Sequence, residues 1–153
     1  MISEAIADVF EQDETGKATI GHGYTYSGHP VGAAAALACL AETEAADVAS
    51  NAARRGKELY AGLLIMQTEH SVIGDVRGGP GLMCALELVS DRAEKAAIDK
   101  KSIGKVQEEA YRAGAMIRVS GPNIILSPPL VVSANDVGTI LDAVASGLRA
   151  ITV

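Results

Sequence analysis

Residues 71–89 read SVIGDVRGGPGLMCALELV. Two apolar runs flank RGGPG at 77–81, and a glycine–proline cluster between such runs predicts a hairpin or a tight strand–strand connection. A second unit of this kind lies at 116–132, MIRVSGPNIILSPPLVV, and turns around SGPN. Between them, residues 100–115 predict a helix from about Ser102 to Arg112, closed by Gly114 as a C-terminal cap. Before the first unit, residues 46–69 predict a helix. Leu59, Leu63, Leu64 and Met66 form its apolar face, and Arg54, Arg55, Lys57 and Glu58 its wet one. After the second unit, Ser133 reads as an N-cap with Asp136 three residues on, a variant of the capping box. Val137, Ile140, Leu141, Val144 and Leu148 supply the buried stripe of this last helix.

From Ala46 onward the order is helix, two strands, helix, two strands, helix. That order predicts a two-layer α+β domain, with helices on one face of a mainly antiparallel sheet. Residues 1–45 stand apart from this core. They offer a short helix within ISEAIADVFEQ (2–12), a polar loop DETGK (13–17), the unusual stretch GHGYTYSGHP (21–30), and an alanine-rich helix from Pro30 to about Thr43. Pro30 suits a first helical turn, where its missing N–H costs nothing.

Composition narrows the function. The chain of 153 residues carries a formal net charge of -6, and aromatics make up 3%. Without a basic stripe it lacks the means to neutralise phosphates, which argues against nucleic acid. The most apolar run, VGAAAALACLA (31–41), is shorter than the ~20 residues a spanning helix needs. The N-terminal MISEAIADVF carries Glu4 and Asp8 and no basic region, unlike a signal peptide. Cys39 and Cys84 both read as small buried hydrophobes rather than a disulfide, so the cytoplasm is the expected compartment.

His22 and His29 are seven residues apart and His70 is distant, with no HExxH, CxxC or HxH pattern, so no metal site is expected. G-x-S-x-G and P-loop patterns are missing too. The stretch 21–30 places glycines and hydroxyls before a helix N-terminus, where unpaired N–H groups favour an anion such as phosphate. Thr25 and Ser27 would add donors, and Tyr24 or Tyr26 would cover a planar ligand. The alternative is that Ser27 or His29 caps the helix and the tyrosines pack against it. Arg118, among apolar neighbours in GAMIRVSG, either leaves its head in solvent at the sheet edge or aims it at an anion. A guanidinium grips a carboxylate with two prongs.

HGYTYSGHPVGAAAALA (22–38), VIGDVRGGPGLMCALELV (72–89) and IRVSGPNIILSPPLVV (117–132) together resemble the C-terminal portion of class III pyridoxal-phosphate aminotransferases, nearest the ω-amino acid:pyruvate type. The resemblance implies the small α+β domain of fold-type I pyridoxal-phosphate (PLP) enzymes at 46–153. Residues 1–45 would be a segment from the cofactor-domain side, with a phosphate motif and an interdomain helix. It implies that Thr25 donates to the cofactor phosphate of a neighbouring subunit, that Tyr24 borders that subunit's active site, and that Arg118 binds the substrate carboxylate.

One departure stands out. The family's Schiff-base lysine would fall upstream of Met1, and Lys17 reads as a solvated loop lysine. The expectation is therefore a C-terminal fragment of a transaminase that moves an amino group from an amine or ω-amino acid to a keto acid such as pyruvate. No catalytic residue of its own, no cofactor bound by the chain alone, and no activity alone are expected. Its partners would be a second copy or a larger lysine-bearing aminotransferase chain, besides small amino and keto acids. The alternative is a freestanding α+β ligand-binding or assembly module.

Overall fold

The computed structural model describes residues 2–19, 21 and 23–151. The chain divides into two compact units, Met1–Leu40 and Ala41–Val153, the division falling within a helix. The first unit contains α1 (Glu4–Glu11) and most of α2 (Pro30–Ala45). Neither helix has a buried residue. Cys39 is therefore exposed on α2, which corrects the expectation of a buried thiol, whereas Cys84 is buried as expected. Burial pushes the Cys84 thiol pKa up, because the thiolate would lose its hydration.

The second unit runs α3 (Val48–Glu69), β1 (Ile73–Arg77), β2 (Cys84–Asp91), β3 (Ala96–Ala97), α4 (Lys100–Arg112), β4 (Arg118–Ser120), β5 (Asn123–Leu126) and α5 (Ala134–Arg149). The sheet order is β1-β2-β5-β4, with β3 paired to β2, and every pairing is antiparallel. This is the expected two-layer α+β arrangement. Along β2, Cys84, Leu86 and Leu88 are buried while Ala85 and Glu87 are less so, the period-two pattern of a strand with one covered face. Leu59, Leu63 and Met66 of α3, Ile103, Val106 and Ala110 of α4, and Val137, Val144 and Leu148 of α5 complete that core. Leu64, placed by periodicity on the same face of α3, is instead 40% exposed. It follows Leu63 directly, and a turn of 100° separates neighbours on a helix.

The ends of the elements follow local chemistry. α4 starts two residues before the expected Ser102, because Asp99 accepts from the N–H groups of Lys101 and Ser102. It closes at Ala113, and Gly114 takes φ +105°, a conformation that suits glycine. α5 carries the expected capping box: Ser133 and Asp136 exchange side-chain and backbone hydrogen bonds. At the end of α3, Arg92 donates to the carbonyls of Gln67 and His70, both at 2.8 Å. It thereby satisfies acceptors that a helix C-terminus leaves open.

Both capping carboxylates titrate below the ordinary 3.8, Asp99 chiefly through the Ser102 hydroxyl and Asp136 chiefly through that of Ser133. A depressed folded-state pKa contributes stability that is present above the unfolded value and lost as pH falls through the folded one. Ser133→Ala is expected to lower the urea midpoint at pH 7, and the deficit should shrink as pH drops below 4. A deficit that stays constant from pH 7 to 3 would contradict this account.

Candidate functional site

Two places carry the sequence-predicted residues, one in each unit. In the first unit, Tyr24 to Gly28 form consecutive turns. The Ser27 N–H donates to the Tyr24 carbonyl at 3.1 Å and the His29 N–H to the Tyr26 carbonyl at 3.2 Å. Gly28 has φ +73°, which turns the chain into α2. Thr25, Tyr24 and Tyr26 are exposed. Among the described residues, the side chains of Thr25, Ser27 and His29 make no hydrogen bond, so neither Ser27 nor His29 caps α2 through its side chain. His22 lies outside the described residues. Among those described, no cluster of His, Cys, Asp or Glu could hold a metal ion, and no helix is long and apolar enough to cross a membrane.

In the second unit, Arg118 opens β4 and pairs with Ile125 of β5. Register across the sheet sets Arg77, Ala85, Ile125 and Arg118 in one row. Side chains in such a row share a face, here the face away from the helices. The two arginines at its ends differ in circumstance. Arg77 donates to Asp75 at 2.9 Å, to Glu87 at 2.6 Å, and to the Asn123 side-chain oxygen. These partners, Glu87 first and Asp75 next, raise its pKa further. Arg118 is exposed and, among the described residues, makes no hydrogen bond or ion pair.

Arg118 lines a cleft of about 630 Å³ together with Gln107, Met116, Ile125, Pro128 and Ile140, among others. No other charged side chain lines it. The walls are held by two carboxamides. Gln107 on α4 donates to the Ile117 carbonyl at 3.0 Å. Asn51 on α3 donates to the carbonyls of Leu130 and Val132 at 2.8 and 3.0 Å, anchoring the chain just beyond Pro128 and Pro129. An apolar-walled cleft with one uncompensated guanidinium suits a small molecule with a carboxylate at one end.

The sequence reading did not single out Arg77, Gln107 or Asn51. Arg77 had a detectable signal: once RGGPG is read as a hairpin, Asp75 and Glu87 fall opposite one another beside it. Gln107 and Asn51 sit on wet helix faces and carry no such mark.

The antiparallel sheet under three helices is the small α+β domain of fold-type I PLP enzymes, as its likeness to solved transaminases shows. The chain matches the aminotransferase class-III family model over residues 2–148 and belongs to that family. It is 35% identical to an uncharacterized aminotransferase, y4uB, of Sinorhizobium fredii, over 99% of this chain and 33% of that protein. It is 33% identical to the putrescine–pyruvate aminotransferase of Pseudomonas aeruginosa, over 78% of this chain and 26% of that protein. Among solved structures, a PLP-bound amine transaminase from an uncultivated Pseudomonas species superposes with a TM-score of 0.87 at 40% identity, covering 98% of this chain and 34% of that one. The chain thus spans a quarter to a third of the length of these relatives.

Proposed function

We propose that this chain supplies the carboxylate-binding and phosphate-binding parts of a PLP-dependent transaminase acting between an amine or ω-amino acid and a keto acid such as pyruvate. The observation that carries this reading is Arg118, the one charged side chain lining its cleft and without a protein partner among the described residues. Its guanidinium would hold the carboxylate of the keto or amino acid and orient the far end of that molecule. The Thr25 hydroxyl, exposed on its turn and making no hydrogen bond among the described residues, would donate to the cofactor phosphate of a neighbouring subunit. Tyr24 would border that subunit's site. When bound, PLP supplies the electron sink for the transfer.

The chain's lysines at 17, 57, 95, 100, 101 and 105 are all exposed, and none lines the Arg118 cleft. The amine-bearing lysine would therefore come from another part of the assembly, and this chain alone is expected to bind rather than to transfer. Residues 1–45 read as the cofactor-domain segment and 46–153 as the small domain. The exposed apolar side chains of the first unit, Ile6 and Val9 on α1 and Val31, Leu37 and Leu40 on α2, support a partner there: a second copy or a larger lysine-bearing chain. A reducing cytoplasm suits its two thiols.

Calorimetric titration with sodium pyruvate tests the carboxylate role. Loss of a charge-assisted contact is expected to weaken binding ~10–100-fold in Arg118→Leu. Equal affinity of wild type and variant would overturn the reading. In a reconstituted assembly with a lysine-bearing chain, Thr25→Val is expected to raise the dissociation constant of PLP, and unchanged cofactor affinity would remove Thr25 from the site.

A further inference from the structure

We infer that Gln107 is a positioning residue for Arg118, fixing the strand that carries the guanidinium and silencing a carbonyl that would otherwise repel an anion. This rests on the carboxylate reading of Arg118 given above.

The chain returns from α4 through a fixed point, where the Gly114 N–H donates to the Tyr111 carbonyl and the Ala115 N–H to the Ala110 carbonyl, both at 3.0 Å. The next regular pairing is Arg118 with Ile125. Between the two, Met116 is 87% exposed and Ile117 lies outside the strand ladder. The strand that follows has three residues and lies at the sheet edge, where a ladder frays most easily. The Ile117 side chain is buried in the core, and the Gln107 hydrogen bond to the Ile117 carbonyl adds a polar tether across this gap. It joins the body of α4 to the residue immediately before Arg118.

The same bond has an electrostatic consequence. Gln107, Ile117 and Arg118 all line the one cleft. A carbonyl oxygen carries partial negative charge, and one left without a donor beside a bound carboxylate would oppose it. With the Gln107 amide engaged, that oxygen is already satisfied and the guanidinium is the dominant charge a ligand meets.

Two near-isosteric variants test the inference in the chain of residues 1–153. Gln107→Met keeps the length and loses the donor; Gln107→Glu keeps the shape and places an acceptor against the carbonyl. The ligand is sodium pyruvate, with sodium chloride as the ionic-strength control. The readouts are the dissociation constant, the Arg118 Nε–Hε resonance and the Ile117 carbonyl resonance. Gln107→Met is expected to weaken pyruvate ~5-fold, the worth of one ordinary hydrogen bond, and Gln107→Glu more. Both should shift the two resonances before any ligand is added, which a general loss of stability in the folded protein would not do. If Arg118→Leu loses pyruvate while both Gln107 variants bind like wild type with unmoved resonances, the positioning role is overturned and the carboxylate reading stands. If wild type does not bind pyruvate, the carboxylate reading fails. The resonances alone then decide whether Gln107 sets the place of Arg118, and unmoved ones overturn that as well.

Discussion

Gly56→Val is expected to cost ~3 kcal/mol or more and to leave much of the chain unfolded in mild urea. A Cβ at this position of α3 would sit 2.0 Å from the Gly81 carbonyl oxygen and 2.4 Å from its carbon. Those are backbone atoms of the 78–83 connection, not the tip of a side chain that could swing aside. Either α3 must lift from the sheet or the hairpin must open. Lifting α3 would expose Leu59 and Leu63, both fully buried. Opening the hairpin would disturb the β1–β2 pairing that holds Ile73 and Val76. Gly104→Ala, at an exposed position of α4, is the contrasting control, since a Cβ there meets nothing within 4 Å. It should stabilise by ~0.5–1 kcal/mol, the helical gain of alanine over glycine. Urea midpoints of the two variants on either side of wild type would support the close approach. A wild-type midpoint for Gly56→Val would rule it out.

The second large effect is expected from Leu86→Ala. Leu86 lies in β2 with no exposed surface, between Val76 of β1 and Ile124 of β5 in register. Truncation there leaves a cavity that strands on both sides prevent from collapsing, and ~2–5 kcal/mol is the usual cost. The next residue offers the comparison. Glu87 points to the open face, 39% exposed, and pairs with Arg77. Glu87→Ala removes an exposed ion pair and should cost within ~1 kcal/mol. Chemical denaturation of the two adjacent variants reads out which face of the sheet carries the core. Similar losses from both would contradict the one-sided arrangement.

Much of this fold was legible because its signals are local. The glycine–proline turns and the Ser133 capping box each lie within a few residues, and each predicted what is observed. The failures share a different origin. β3 is two alanines, whose pairing with β2 depends on a neighbour and not on their own pattern. The start of α4 turned on one Asp99 side chain, a cap that the expected start near Ser102 did not use. Cys39 was expected to be buried from its apolar surroundings in sequence, yet no residue of α2 is buried. At the candidate site, an arginine between apolar residues could be noticed. Which of two arginines on one face is held by acids follows only once cross-strand register is set, as the hairpin at 77–81 sets it for Arg77. Gln107 and Asn51 act on carbonyls, and a carbonyl leaves no trace in the identity of the residue that owns it.

The sheet order β1-β2-β5-β4 also bears on how this domain assembles in time. Each outer pair, β1 with β2 and β4 with β5, is joined by a short turn, so its strands meet at little entropic cost. The seam between them sets Cys84 opposite Leu126, so all of α4 must be looped out before it can close. Closing that loop carries an entropic cost that neither hairpin bears. The zipping of β5 onto β2 is therefore expected to be the slow event of folding, and substitutions along that seam are expected to change the refolding rate more than those in either turn.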